Sequence, residues 1–244
     1  MKKLSLLVFG VILVLGLTTL VNAIGTSTTI GIDSVAIGAS ENMSTYNPGN
    51  ATAGGGNITQ FNLTTTTTTQ IWQGYYGQIN VSVKMGIGAD VLRDFGEADK
   101  EGQISTLFAT GNKSLDFSSI VRATSADISS LRVNLGTNPS FPDAVTSMFD
   151  VNDNATIANT SGVMVINLNA YNVSNQSIAQ NDYFKVGALK GSGDATFRGG
   201  MLFAAPVLSG IYAFENTSIV NYEMILPTNE TTHTYHFFLD MDLS

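Results

Sequence analysis

Along most of the chain apolar residues alternate with polar ones at a period of two. Met164, Ile166, Leu168 and Ala170 share one face of residues 163–170, as a half-buried strand requires. Tyr222, Met224 and Leu226 repeat the pattern up to Pro227. After the polar residues 228–232, Tyr235, Phe237, Leu239, Met241 and Leu243 alternate with His236, Phe238, Asp240, Asp242 and Ser244. These two runs predict a C-terminal hairpin with one apolar face. Another strand is predicted over residues 58–69, where the run Thr64 to Thr69 favours extended backbone. Residues 70–85 predict a third, bulged or bent at Gly74 and Gly77. Residues 183–189 are joined to residues 195–203 by a Gly191-Ser192-Gly193-Asp194 turn, which reads as a second hairpin.

Helical periodicity is scarce. Residues 142–149 fit a short amphipathic turn with Pro142 at the first helical position, and residues 125–132 fit another. Many short strands with one or two short helices in the connections predict an all-β protein, an antiparallel β-sandwich of jelly-roll-like form. Residues 24–56 differ from the rest. Their only charges are Asp33 and Glu41, and they end in Gly54-Gly55-Gly56, as a tail or linker does. Within that tail Ile30, Ile32, Val35 and Ile37 form an apolar island with no partner strand close by in sequence. The island is a candidate donor strand, able to complete a neighbouring copy's sheet by strand addition.

The first residues add a destination. Lys2 and Lys3 precede an almost unbroken apolar run from Leu4 to Val21, and Val21-Asn22-Ala23 places small residues at the last and third-last positions. This is the pattern of a secretory signal peptide cleaved after Ala23. The expected organisation is therefore a signal peptide at 1–23, a tail at 24–56 and a β-sandwich domain at 57–244. The expected location is extracellular, at the cell surface, with the membrane met only through the signal peptide.

Lys and Arg number 11 against 19 Asp and Glu, a formal charge of −8 that becomes −10 once Lys2 and Lys3 are removed. Phosphate binding needs clustered basic residues, so nucleic acid is not an expected partner. With no cysteine in the chain, disulfides, thiolate metal sites and cysteine nucleophiles are excluded together.

Asn-x-Ser/Thr occurs at Asn42, Asn50, Asn57, Asn62, Asn80, Asn112, Asn154, Asn159, Asn172, Asn175, Asn216 and Asn229, each without proline in the middle. Around Asn62 and Asn80 the alternation puts the apolar neighbours on one face and the asparagine on the other, where a sugar would meet water. The chain is thus expected to be an N-glycoprotein.

Candidate chemistry is thin. His233 and His236, the only histidines, point to opposite faces of an extended strand and cannot share a metal. No Gly-x-Ser-x-Gly elbow, P-loop or His-Glu-x-x-His is present. Asp150, Asn152 and Asn154 have the spacing of a calcium loop, but Ala155 stands where the loop needs glycine and Ser161 where it needs glutamate. A surface turn is the simpler reading, and residues 93–101, of mixed charge, read as a solvated loop. Trp72, Tyr75 and Tyr76 fit a core or subunit interface, with a sugar-stacking platform as the rival. No cofactor, metal or catalytic residue is expected, and the chain is not expected to be an enzyme.

The segment Trp72-Gln73-Gly74-Tyr75-Tyr76-Gly77-Gln78-Ile79 carries a resemblance. With residues 58–79, Pro139-Ser140-Phe141, residues 184–203 and residues 222–239, it resembles an uncharacterised family of secreted archaeal surface glycoproteins. Relatives in that pattern often carry cysteines, which this chain lacks. More loosely, the cleaved signal, apolar island and sandwich resemble archaeal filament subunits completed by a strand from the neighbouring subunit. That resemblance implies a structural subunit of a glycosylated extracellular filament, a pilus or thread, whose partners are copies of itself and other cell-surface components. A monomeric carbohydrate- or surface-binding adhesin and an S-layer component are the alternatives.

Overall fold

The computed structural model describes residues 28–31, 69–87, 90–97, 104–149, 151–171, 178–208, 211–215, 217–229 and 233–241. Its strands are β1 (Thr28–Gly31), β2 (Trp72–Gly77), β3 (Ser82–Ile87), β4 (Asp90–Glu97), β5 (Ile104–Thr110), β6 (Val121–Arg122) and β7 (Asn154–Ile157). They continue with β8 (Thr160–Tyr171), β9 (Ile178–Lys190), β10 (Met201–Pro206), β11 (Ile211–Tyr212), β12 (Ile219–Val220), β13 (Tyr222–Pro227) and β14 (His236–Met241). Among the described residues two α-helices, α1 (Ser125–Leu135) and α2 (Val145–Met148), interrupt them.

The protein is all-β and antiparallel. Ten strands form one sheet in the order β1-β14-β5-β10-β9-β8-β11-β12, with β6 added to β9 and β7 to β8; β13-β2 and β3-β4 make two smaller ladders. The centre of the large sheet does not alternate. Met201, Leu202, Phe203, Ala204 and Ala205 of β10 are all buried, as are Val186, Ala188 and Leu189 of β9. Such a continuous apolar run is what a strand covered on both faces needs.

On one face Leu107, Ala109, Val186, Ala188, Met201 and Phe203 pack under Met224 and Leu226 of β13 and under Ile128, Leu131 and Leu135 of α1. The β13-β2 ribbon thus makes the second layer of a sandwich, and α1 extends it. The other face buries Phe108, Leu189, Leu202, Ala204, Val163 and Val165 beneath Leu115 and Ile157. Gly187 makes room there. A Cβ on it would stand 2.7 Å from both Ile157 Cδ1 and Val163 Cγ1.

Several local expectations change. The two C-terminal runs are not a hairpin: β13 pairs with β2 (Met224 opposite Tyr75), whereas β14 pairs with β5 (Leu239 opposite Leu107). Alternation fixes which residues share a face but not which strand lies alongside, and the connection after Pro227 crosses between layers. Residues 70–85 divide into β2 and β3, which belong to different ladders. β9 and β10 do pair, yet β10 begins only at Met201. The ten residues between them curl into a loop, closed by Gly191 N–H donating to Gly200 O at 2.8 Å and Gly200 N–H to Asp194 O at 2.6 Å. Pro142 precedes α2 rather than opening it, since Ala144 is the cap residue. Residues 93–97 are not loop but the end of β4. Residues 58–68 lie outside the described residues.

Helix α1 runs three residues beyond its expected end because both termini are capped. Asp127 N–H donates to Thr124 Oγ1 at 3.3 Å while Thr124 N–H donates to Asp127 Oδ2 at 2.8 Å, a reciprocal capping box. At the other end Gly136 has φ 71°; its N–H donates to Val133 O, and Thr137 N–H to Arg132 O, the paired bonds that end a helix on a left-handed glycine. Lys190 of β9 reaches Asp127 Oδ1 at 3.0 Å and ties the capped end to the sheet. Burial raises the Asp127 carboxyl, but the Thr124 hydroxyl and amide and the Lys190 ammonium outweigh it and hold the pKa below the usual carboxylate value. Replacing Thr124→Ala should therefore lower unfolding stability by about 1 kcal/mol, while Thr124→Ser should be nearly neutral, as urea denaturation would measure.

Candidate functional site

Ile30, the first residue of the apolar island, lies in a strand at an edge of the large sheet. β1 pairs antiparallel with β14 of the same chain, Thr28 opposite Met241, Thr29 opposite Asp240, Ile30 opposite Leu239 and Gly31 opposite Phe238. The far partner, which the sequence does not show as a neighbour, is thus β14, the last strand among the described residues. β14 itself is built in on its other side by β5, with a register shift between Asp240 and Met241. Leu239 and Asp240 are buried, and Ser105 Oγ donates to Asp240 Oδ2 at 3.1 Å. Without β1, the outer backbone groups of β14 would form an open edge. Of the candidate donor residues Ile30 lies in β1; Ile32, Val35 and Ile37 lie outside the described residues.

The sequons separate by what their side chains do. Asn42, Asn50, Asn57, Asn62, Asn172, Asn175 and Asn216 lie outside the described residues. Asn80, Asn154 and Asn159 are exposed. Asn80 follows buried Ile79, so the apolar-in, asparagine-out alternation holds there. Asn159 sits in the two-residue turn between β7 and β8, where Ala158 has φ 50° and Asn159 φ 59°. Asparagine tolerates that left-handed geometry, and it places the side chain at a hairpin tip. Asn112 and Asn229 are half-buried and engaged. Asn112 Nδ2 donates to Gly199 O at 3.0 Å while its Oδ1 accepts from Ser114 N–H at 3.0 Å; Asn229 Nδ2 donates to Leu135 O at 3.2 Å.

The aromatic segment splits in two. Trp72 turns toward the core, its Nε1 donating to Asp143 O at 2.6 Å and its ring 6.3 Å from Phe149. Tyr75 and Tyr76 stay at the surface, 36% and 44% exposed. Tyr75 stands edge-on to Phe237 at 5.6 Å and Tyr76 edge-on to Phe214 at 5.4 Å. Burial raises the Tyr75 pKa. Below Phe214 lies a group not anticipated from sequence. Glu223 of β13 is only 4% exposed, and its Oε1 accepts from Phe214 N–H at 2.8 Å. Its place among the alternating residues Tyr222, Met224 and Leu226 marks it as solvent-facing, and only the β11–β12 turn folded over it reverses that. Burial pushes its carboxyl up to about 7; the Phe214 N–H pulls back and Glu215 adds to the rise.

His233 packs edge-on against Phe197 at 4.7 Å, and His236 is on β14 opposite Thr110. Asp153 fastens its turn to β8: Val165 N–H donates to its carbonyl at 3.1 Å, and Asn167 Nδ2 donates to its carboxylate. Asp150 lies outside the described residues. Among the described residues no three His, Asp or Glu converge as a metal site would need, and no helix is long and apolar enough to cross a membrane. Comparison with family models, curated proteins and solved structures gives no match.

Sugar transfer needs an asparagine nitrogen that the enzyme can reach. Glycopeptide mass spectrometry of native material should accordingly find sugar on Asn80, Asn154 and Asn159 and none on Asn112. Asn112→Ala should cost about 1–3 kcal/mol in denaturant unfolding, because it strips a partner from Gly199 O and Ser114 N–H together.

Proposed function

We propose that the chain is a structural subunit of a glycosylated extracellular filament, polymerising by exchange of its N-terminal strand between copies. The observation that carries this reading is the pairing of β1 with β14. β1 is a four-residue strand at the rim of the sheet, and residues 32–71 separate it from β2. Forty residues at roughly 3.3 Å each have a contour on the order of 130 Å, several times the width of a domain this size. The ladder that β1 makes with its own β14 can therefore be made, bond for bond, with the β14 of another copy. Exchange of an identical element costs little because the contacts are the same in both arrangements. Passing each strand to the next copy, rather than reciprocally, gives a head-to-tail contact that propagates as a fibre.

The sequence features point the same way. A signal peptide and twelve sequons suit an exported protein. The exposed pair Tyr75 and Tyr76 favours one rival, a monomeric adhesin that stacks its aromatic rings on sugar.

A cross-link decides between them. The chain contains no cysteine, so Ile30→Cys with Leu239→Cys installs a single possible pair at a register position. After mild oxidation of material from the cell surface, a covalent ladder of dimers, trimers and higher species on a non-reducing gel is the expected result. A cross-linked monomer as the sole product would mean that the strand closes its own domain, and the filament reading would fall.

A further inference from the structure

Glu223 is placed at odds with its surroundings. The carboxyl is buried beneath the tip of the β11–β12 turn, where Phe214 N–H is its hydrogen-bond donor. Among the described residues, no element packed against β13 offers the charge a cation. β2 offers Tyr75 and Tyr76, and β10 and β12 carry no charged residue. On β9, Lys190 is held by Asp127, and alternation puts Lys185 on the opposite face from buried Phe184 and Val186. The turn itself brings Glu215, of the same sign, one residue beyond Phe214. Burying an unpaired carboxylate beside another is expensive, whereas a protonated carboxyl in the same place is tolerated.

The turn has a weak hold at its tip and a firm one at its base. Ile211, Ala213 and Val220 are buried with Phe184, and Ala213 N–H donates to Ser218 O at 2.8 Å. Phe214 and Glu215 are exposed, and Phe214, 53% exposed, leans on Tyr76. The tip can lift without dismantling the base.

We infer that Glu223 is a proton-operated latch on this tip: protonated, it stays covered with Phe214 held against Tyr76; ionised, it takes up water and the tip lifts off. The exposed aromatic face formed by Tyr76 and Phe214 thereby changes shape with acidity. The inference does not depend on the filament reading, since it concerns one chain.

The sign and window follow from the two states of the carboxyl. With the tip open, Glu223 titrates near its ordinary 4.5; with the tip closed, near 7. Below about 4.5 both states are protonated and pH has no effect. Between about 4.5 and about 7 only the open state has lost its proton, so each pH unit favours opening tenfold. Above about 7 both are ionised and the effect levels off, at a total on the order of 10²-fold.

Amide exchange at Phe214, corrected for the intrinsic pH dependence of exchange, reads the latch directly. In the purified protein its protection should fall on the order of 10²-fold from pH 4.5 to 7 and then stay level. Glu223→Gln keeps an acceptor for the N–H but cannot ionise, so its protection should be high and flat across the range. Glu215→Gln should move the wild-type transition to lower pH. Amides of β10 serve as the control and should not follow the profile. Constant protection in the wild type, or the same pH profile in Glu223→Gln, would overturn the latch.

Discussion

Burial of β10 on both faces is the constraint on which the rest of this structure depends. The chain has no disulfide to rely on, so a single hydrophobic interior must outweigh the conformational entropy of more than a hundred ordered residues. Met201, Phe203 and Ala205 supply one face of the interior and Leu202 and Ala204 the other, with β5 and β9 closing both hydrogen-bonded sides. A strand in that position has no surface to give to water. Every neighbouring element is recruited to cover it: β13 and α1 above, the Leu115 loop and Ile157 below. Gly187 belongs to the same constraint, since any side chain there would push Ile157 and Val163 away from the strand they cover.

Aromatic rings extend this interior to the second layer. Trp72, Phe149, Phe203, Tyr235 and Phe197 follow one another at centroid separations of 6.3, 6.1, 6.2 and 4.9 Å, and His233 continues the row at 4.7 Å from Phe197. Most of these contacts are tilted or edge-on, arrangements that add to simple area burial because the ring edge of one meets the negative face of the next. Tyr235 has a second duty. Its hydroxyl donates to Pro227 O at 2.5 Å, so the chain leaving β13 is fastened to the start of β14 across the layer boundary. Burial raises the pKa of that phenol, with Tyr75 adding to it, which keeps the proton in place to donate.

The all-β class and the faces of individual strands were legible because alternation reports burial directly. Met164, Ile166 and Leu168 share a face as their spacing requires. Partnership was not legible. Tyr222 to Leu226 and Tyr235 to Leu239 look like two arms of a hairpin, yet they lie in different layers, because a period of two carries no information about neighbours. The unbroken run Met201 to Ala205 was the available sign of a central strand, and reading it as one arm of a hairpin missed that. The start of α1 at Ser125 agreed with the expectation, and Gly136 was the available sign of its true end. Glu223 could not have been found, since its burial depends on a turn that approaches only in the folded chain. The partner of β1 was likewise hidden by more than two hundred residues of intervening sequence.

That long separation is where stability and assembly meet. An edge strand far from its partner in sequence contributes late and little to the domain's own interior, because closing so long a loop must precede any ladder bond. The central sheet from β14 to β8 is paired without β1. The interior can therefore be complete while the outer side of β14 is still open. An open sheet edge is a hazard unless something specific occupies it. A strand of the same chain, forty residues before β2, meets that need by closing its own domain, or a neighbour's in the assembly proposed above. Under the strand exchange proposed above, the choice between the two is set by concentration and not by any difference in the contacts made.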